Sequence, residues 1–115
     1  MTRSFPESDW KVFKRLHVAA LDRLCRRVLD EIATISADSN RTAHERYQAV
    51  YGLVHDRDRD IAAAFDDLRR SRAWPQLLMM RRLGLLEPED LAELSAATRE
   101  SIEAALAGLT SLRDR

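Results

Sequence analysis

Apolar side chains recur at spacings of three and four near the start of the chain: Trp10, Phe13, then His17, then Leu21, Leu24, Val28, Ile32 and Ile35. That period is one face of an α-helix, here about thirty residues or about 45 Å long. Ser4-Phe5-Pro6-Glu7 fits a capping box with proline in the first turn, so the helix is expected from about residue 5 to 35. On its outer face Asp22 with Arg26, Arg26 with Asp30, and Arg27 with Glu31 stand four apart and support it weakly.

Three glycines and three prolines leave few turn signals, while Ala, Leu and Arg favour helix, so the fold class read from the sequence is all-α. Residues 36–41 form a polar connector, and Thr42-Ala43-His44-Glu45 reads as a second capping box. The next stripe is Tyr47, Val50, Tyr51, Val54, then Asp58 where an apolar residue is due, then Ile61, Phe65 and Leu68. These segments predict a long antiparallel hairpin, about 5–35 and 43–70. Three shorter helices are expected after it: one at about 73–83 stopped by Gly84, a short one from Pro88 to about Leu94, and one capped by Ser95 carrying Ile102, Leu106, Leu109 and Leu112. With 115 residues and 45% apolar content, residues 1–115 read as a single domain.

Catalytic and metal chemistry find little to start from. No carboxylate precedes a histidine by three as in the di-iron bundles, and His44 and His55 are separated by about 16 Å along one helix. Cys25 borders the buried stripe and reads as a small hydrophobe. There is no Gly-x-Ser-x-Gly elbow, no phosphate-cradling glycine loop and no dinucleotide fingerprint. No enzymatic activity, metal or cofactor is expected on these grounds. One polar position interrupts each stripe, and a hairpin centred near Ser39 brings Asp58 level with His17 and Leu21. His17 and Asp58 are therefore the candidate buried polar pair, with a register-fixing role.

The net charge is zero, which argues against a general polyanion binder. The distribution is less even. Residues 69–86 hold Arg69, Arg70, Arg72, Arg81 and Arg82 and no acid, whereas residues 87–115 carry seven acids against three arginines. With Trp74, these arginines form a candidate partner surface for phosphate or an acidic protein; the competing reading pairs them with the acidic C-terminal helices. The segment from Leu83 to Ile102 has the outline of a helix-turn-helix, but its second helix would carry Glu100 and Glu103 with only Arg99 toward DNA.

The longest apolar run, Ile61 to Phe65, is far short of the ~20 residues of a membrane span. Met1 to Pro6 leads into charge without an apolar segment, so no secretory signal is expected, and a single cysteine suits a reducing cytoplasm. The combination Asp9-Trp10-Lys11, Ala43-His44-Glu45-Arg46-Tyr47, Phe65-Asp66-Asp67-Leu68-Arg69-Arg70-Ser71 and Arg82-Leu83-Gly84-Leu85-Leu86 resembles small all-helical bacterial proteins of similar length. That resemblance implies no activity and assigns no site. Two long rods covered by three short helices leave apolar surface over, and self-association covers such surface. The sequence thus predicts a non-enzymatic helical protein-interaction module, homodimeric, that binds another protein, with a nucleic-acid-associated regulator using Arg69–Arg82 as the alternative.

Overall fold

The computed structural model describes residues 5–113, with side chains to residue 108. Five α-helices and no strand are found among the described residues: α1 (Glu7–Ser36), α2 (Ala43–Phe65), α3 (Ala73–Arg82), α4 (Pro88–Ala92) and α5 (Ala96–Arg113), with a 3-10 turn at Arg70–Arg72 before α3. The all-α reading and the long hairpin stand.

Helix α1 begins at Pro6, whose carbonyl accepts from the Trp10 amide at 2.8 Å. The capping box expected at Ser4–Glu7 is not what starts it. Ser4 lies outside the described residues, and Glu7 opens the helix while its carboxylate binds Arg70 at 2.5 Å. The turn out of α1 is held by Asp38, whose carboxylate accepts the Asn40 amide at 3.0 Å. The Thr42 capping box forms as expected, with the Glu45 amide on the Thr42 hydroxyl at 3.1 Å and the Thr42 amide on the Glu45 carboxylate at 2.8 Å. Arg46 then donates to the Ser36 carbonyl at 2.6 Å, closing the hairpin across its own turn.

Helix α2 ends at Phe65, not near 70. Asp66 is extended and Asp67 takes a left-handed conformation, φ +57°. Aspartate tolerates that region because its short side chain bonds locally. Here the Asp67 carboxylate takes Arg69 at 2.6 Å and Arg72 at 3.5 Å, and buried Gln76 donates to the Asp66 carbonyl at 2.5 Å. The apolar spacing runs on to Leu68 without a break, so periodicity alone carries the helix too far; Leu68 is exposed.

The end of α3 is a Schellman motif. The Leu85 amide bonds the Met80 carbonyl at 3.0 Å, the Gly84 amide bonds the Arg81 carbonyl at 3.1 Å, and Gly84 has φ +71°. Gly84 stops the helix as the sequence predicts, and Leu85 folds back into the core. Helix α4 is shorter than expected, ending at Ala92. Ser95 caps α5 through the Thr98 amide at 3.3 Å. Ile102 is fully buried and Leu106 partly so; Leu109 and Leu112 have side chains outside the described residues.

The core lies around the N-terminal half of α1. Buried Val12, Phe13, Leu16, Ala20, Leu24 and Val28 face Phe65 of α2, Leu77 and Met80 of α3, and Ile102 of α5. Helix α1 is thus covered on more than one side, by a row (Val12, Leu16, Ala20) additional to the stripe read from the sequence.

Polar side chains of α1 also terminate three other helices. His17 Nε2–H donates to the Phe65 carbonyl at the end of α2, 2.9 Å away. Arg23 donates to the Leu85 carbonyl at 2.8 Å and to Asp90 at 2.6 Å, and Arg27 to the Leu83 carbonyl at 2.8 Å, satisfying groups just past α3. Asp9, 1% exposed, accepts from the Ser95 amide (2.8 Å), the Ser95 hydroxyl (2.7 Å) and the Thr98 hydroxyl (2.5 Å) at the start of α5.

Candidate functional site

Beyond about residue 28 the molecule is only two helices thick. The buried residues of α1 run from Asp9 to Val28, and those of α2 are Ala64 and Phe65 alone. The radius of gyration, 17.0 Å, exceeds the roughly 13 Å of a compact chain of this length, because the hairpin projects.

One side of that projection is apolar. Leu29 is 62% exposed on α1, and Tyr47, Tyr51 and Val54 are 69%, 68% and 39% exposed on α2. On α2 they fall at spacings of four and three, so they share a face. Between the helices runs a shallow groove lined by Cys25, Leu29, Ile32, Val54 and Ile61 together with the charged Arg57 and Asp58. Tyr51 stacks on His55 with ring centroids 6.4 Å apart. The tyrosines are the notable members, since aromatic residues are enriched in interface cores and carry large contact area with little side-chain entropy to lose.

The proposed His17–Asp58 pair does not form. The register set by Arg46 on Ser36 and His17 on Phe65 places Asp58 beside Cys25, about two turns from His17. His17 satisfies a helix-end carbonyl instead, and exposed Asp58 belongs to the apolar groove. The expectation assumed that two interruptions of opposing stripes must meet; a free carbonyl at the end of α2 offered His17 a nearer partner.

The arginine surface is largely neutralised. Arg69 and Arg72 share Asp67, Arg70 binds Glu7 and the Phe5 carbonyl (2.7 Å), and Arg81 lies 3.6 Å from Glu103. Among the described residues only the Arg81 pair joins this segment to the acidic C-terminal helices; the other acids are Asp67 at the end of α2 and Glu7 at the start of α1. Arg82 is exposed. Trp74 is half-buried and borders a cleft of about 540 Å³ with Phe5, Pro6, Ala97 and Ser101.

Among the described residues no three His, Cys, Asp or Glu side chains are grouped to hold a metal, and no helix is long and apolar enough to cross a membrane. The shifted ionisable groups are structural. Burial pushes the Asp9 carboxyl up, but hydrogen bonds from Thr98 and Ser95 outweigh it and hold it below the ordinary 3.8. Asp90 follows the same pattern, with burial opposed by the Arg23 guanidinium and the Glu87 amide. Its partner Arg23 is raised, chiefly by the bond to Asp90.

Asp9 is a functional group of the fold to which the sequence assigns no role. The available signal was its position, three before Val12 and four before Phe13, which puts it on a buried row of α1. No protein-family model, curated protein or solved structure matches the chain.

Proposed function

We propose that this protein is a non-enzymatic helical protein-interaction module that works as a homodimer, with the apolar faces of two hairpins packed together. The observation that carries this reading is the exposed row of Leu29, Tyr47, Tyr51 and Val54 on the two-helix projection. The side of α2 from His44 to Ile61 is about 25 Å long, and two helices wide it covers about 500 Å² per copy, or about 1,000 Å² for the pair, the threshold of a specific interface. Two hairpins so joined make a four-helix bundle with closed two-fold symmetry, which leaves no unsatisfied apolar face to recruit further copies. The surfaces away from the hairpin are then free to bind another protein, and a reducing cytoplasm suits the single thiol at the edge of the groove. We do not carry forward a nucleic-acid role for Arg69–Arg82, because Arg69, Arg70, Arg72 and Arg81 already face carboxylates.

The test is Tyr51→Glu, which places a carboxylate in the middle of the face at an exposed position. Circular dichroism should show unchanged helicity, while light scattering at equal concentration should fall from about twice 13.2 kDa to 13.2 kDa. A variant with the mass of the wild type would remove the hairpin face from the interface.

A further inference from the structure

Resting on the dimer reading, we infer that the two copies pair α2 against α2 in antiparallel fashion, about a two-fold axis between Tyr51 and Val54, so that Tyr47 of each copy meets the partner's Asp58. One side of α2 carries the exposed His44, Tyr47, Tyr51, Val54 and Asp58 and then the partly buried Ile61, at alternating spacings of three and four, the pattern of a coiled-coil seam. Asp58 is the anomaly in that seam. It is exposed, it lines a groove whose other charged member, Arg57, is paired with Glu31 and Asp60, and it replaces the apolar residue the spacing calls for. Its own Tyr47 is eleven residues away, about 16 Å along the helix, so the phenolic hydroxyl cannot reach it within one chain.

An antiparallel pair resolves this. With the axis between Tyr51 and Val54, each Tyr51 packs on the partner's Val54, and each Tyr47 hydroxyl donates to the partner's Asp58. The carboxylate gains a donor where it would otherwise be desolvated without one. Other registers do worse. A parallel pair sets Asp58 against the partner's Asp58, two like charges at an apolar seam. One-step slides set Asp58 opposite the partner's Tyr51 or the partner's His44 but pair each kind of seam position with its own kind. Keeping the mixed pairing (47, 54 and 61 against 44, 51 and 58), a slide of one heptad one way sets Asp58 on the partner's Val54, and a heptad the other way carries it past the start of the partner's α2.

A second observation agrees. The contacts of Arg46 with Ser36 and of His17 with Phe65 fix how α1 lies along α2, and they bring Leu29 level with the proposed axis. Leu29 is the most exposed apolar residue in the distal half of α1. At the axis it packs on the partner's Leu29.

The test is a charge exchange read by sedimentation equilibrium. Tyr47→Glu sets two carboxylates together twice per dimer and should weaken dimerisation by about tenfold or more. Adding Asp58→Lys to that variant turns each repulsion into an ion pair and should restore the dissociation constant to within about threefold of wild type. Both positions are exposed, so helicity by circular dichroism should hold in all variants. A wild-type dimer with no rescue in the double variant overturns the register and leaves the dimer standing. A wild type that is monomeric at every concentration overturns both.

Discussion

Replacing Asp9 by alanine should destabilise the fold by about 3 kcal/mol. The carboxylate accepts three hydrogen bonds at 2.5–2.8 Å from the first turn of α5, in a position 1% exposed. After its removal the two hydroxyls can still turn to each other, since the Ser95 and Thr98 oxygens are 3.1 Å apart. The Ser95 amide has no such recourse, and a buried donor left unsatisfied costs about 1–3 kcal/mol. The charge-assisted bonds from the hydroxyls add to this, while relief of the buried charge subtracts, which gives the figure above as a net of about 3 kcal/mol. Asp9→Asn keeps the shape and one acceptor, and should cost about 1–2 kcal/mol. The folded carboxyl titrates below the ordinary 3.8, so its contribution is full above that value and is lost as pH falls through the lower folded pKa. The stability gap between wild type and Asp9→Asn should therefore be flat from neutral pH down to about 5 and close below about 4. Urea unfolding followed by circular dichroism, at one fixed protomer concentration because dimerisation also adds stability, measures both quantities. A loss under about 0.5 kcal/mol for Asp9→Ala, the size of an ordinary surface change, would refute the claim that α1 anchors α5 through this carboxylate.

Two further predictions concern the helix ends. Gly84→Ala should cost about 1 kcal/mol in urea midpoints, purely from the left-handed backbone, because an added Cβ meets nothing within 4 Å; Gly52→Ala, equally open but helical, should gain about as much. Arg23→Ala removes bonds to Asp90 and to the Leu85 carbonyl from a partly buried site and should cost about 1–2 kcal/mol, with hydrogen exchange at residues 83–91 rising before that of α2.

Local rules carried the helical hairpin and most helix ends. Thr42 with Glu45, Gly84 with Leu85, Pro88 and Ser95 act within a few residues of themselves, so their chemistry is readable from spacing alone. The Asp66–Asp67 break was hidden because the apolar period continues through it, whereas the backbone there is held by Arg69 and Arg72 on the Asp67 carboxylate and by Gln76 on the Asp66 carbonyl. The bonds made by Asp9, His17, Arg23 and Arg27 were not legible for a different reason. Each side chain bonds groups 48 to 89 residues away, at a helix end whose position follows only once the helices have packed. The hairpin face was legible as a stripe, and the lengths of the rods implied apolar surface left over, but not which part of the stripe stays exposed, since that depends on where the short helices pack.

Solution mass across a dilution series, in low and in high salt, tests the central claim most directly. The dimer reading requires about twice 13.2 kDa at micromolar protein, with little change on adding salt, because apolar burial is not screened. A mass of 13.2 kDa throughout would contradict it and leave the Leu29–Tyr51 face uncovered by a second copy.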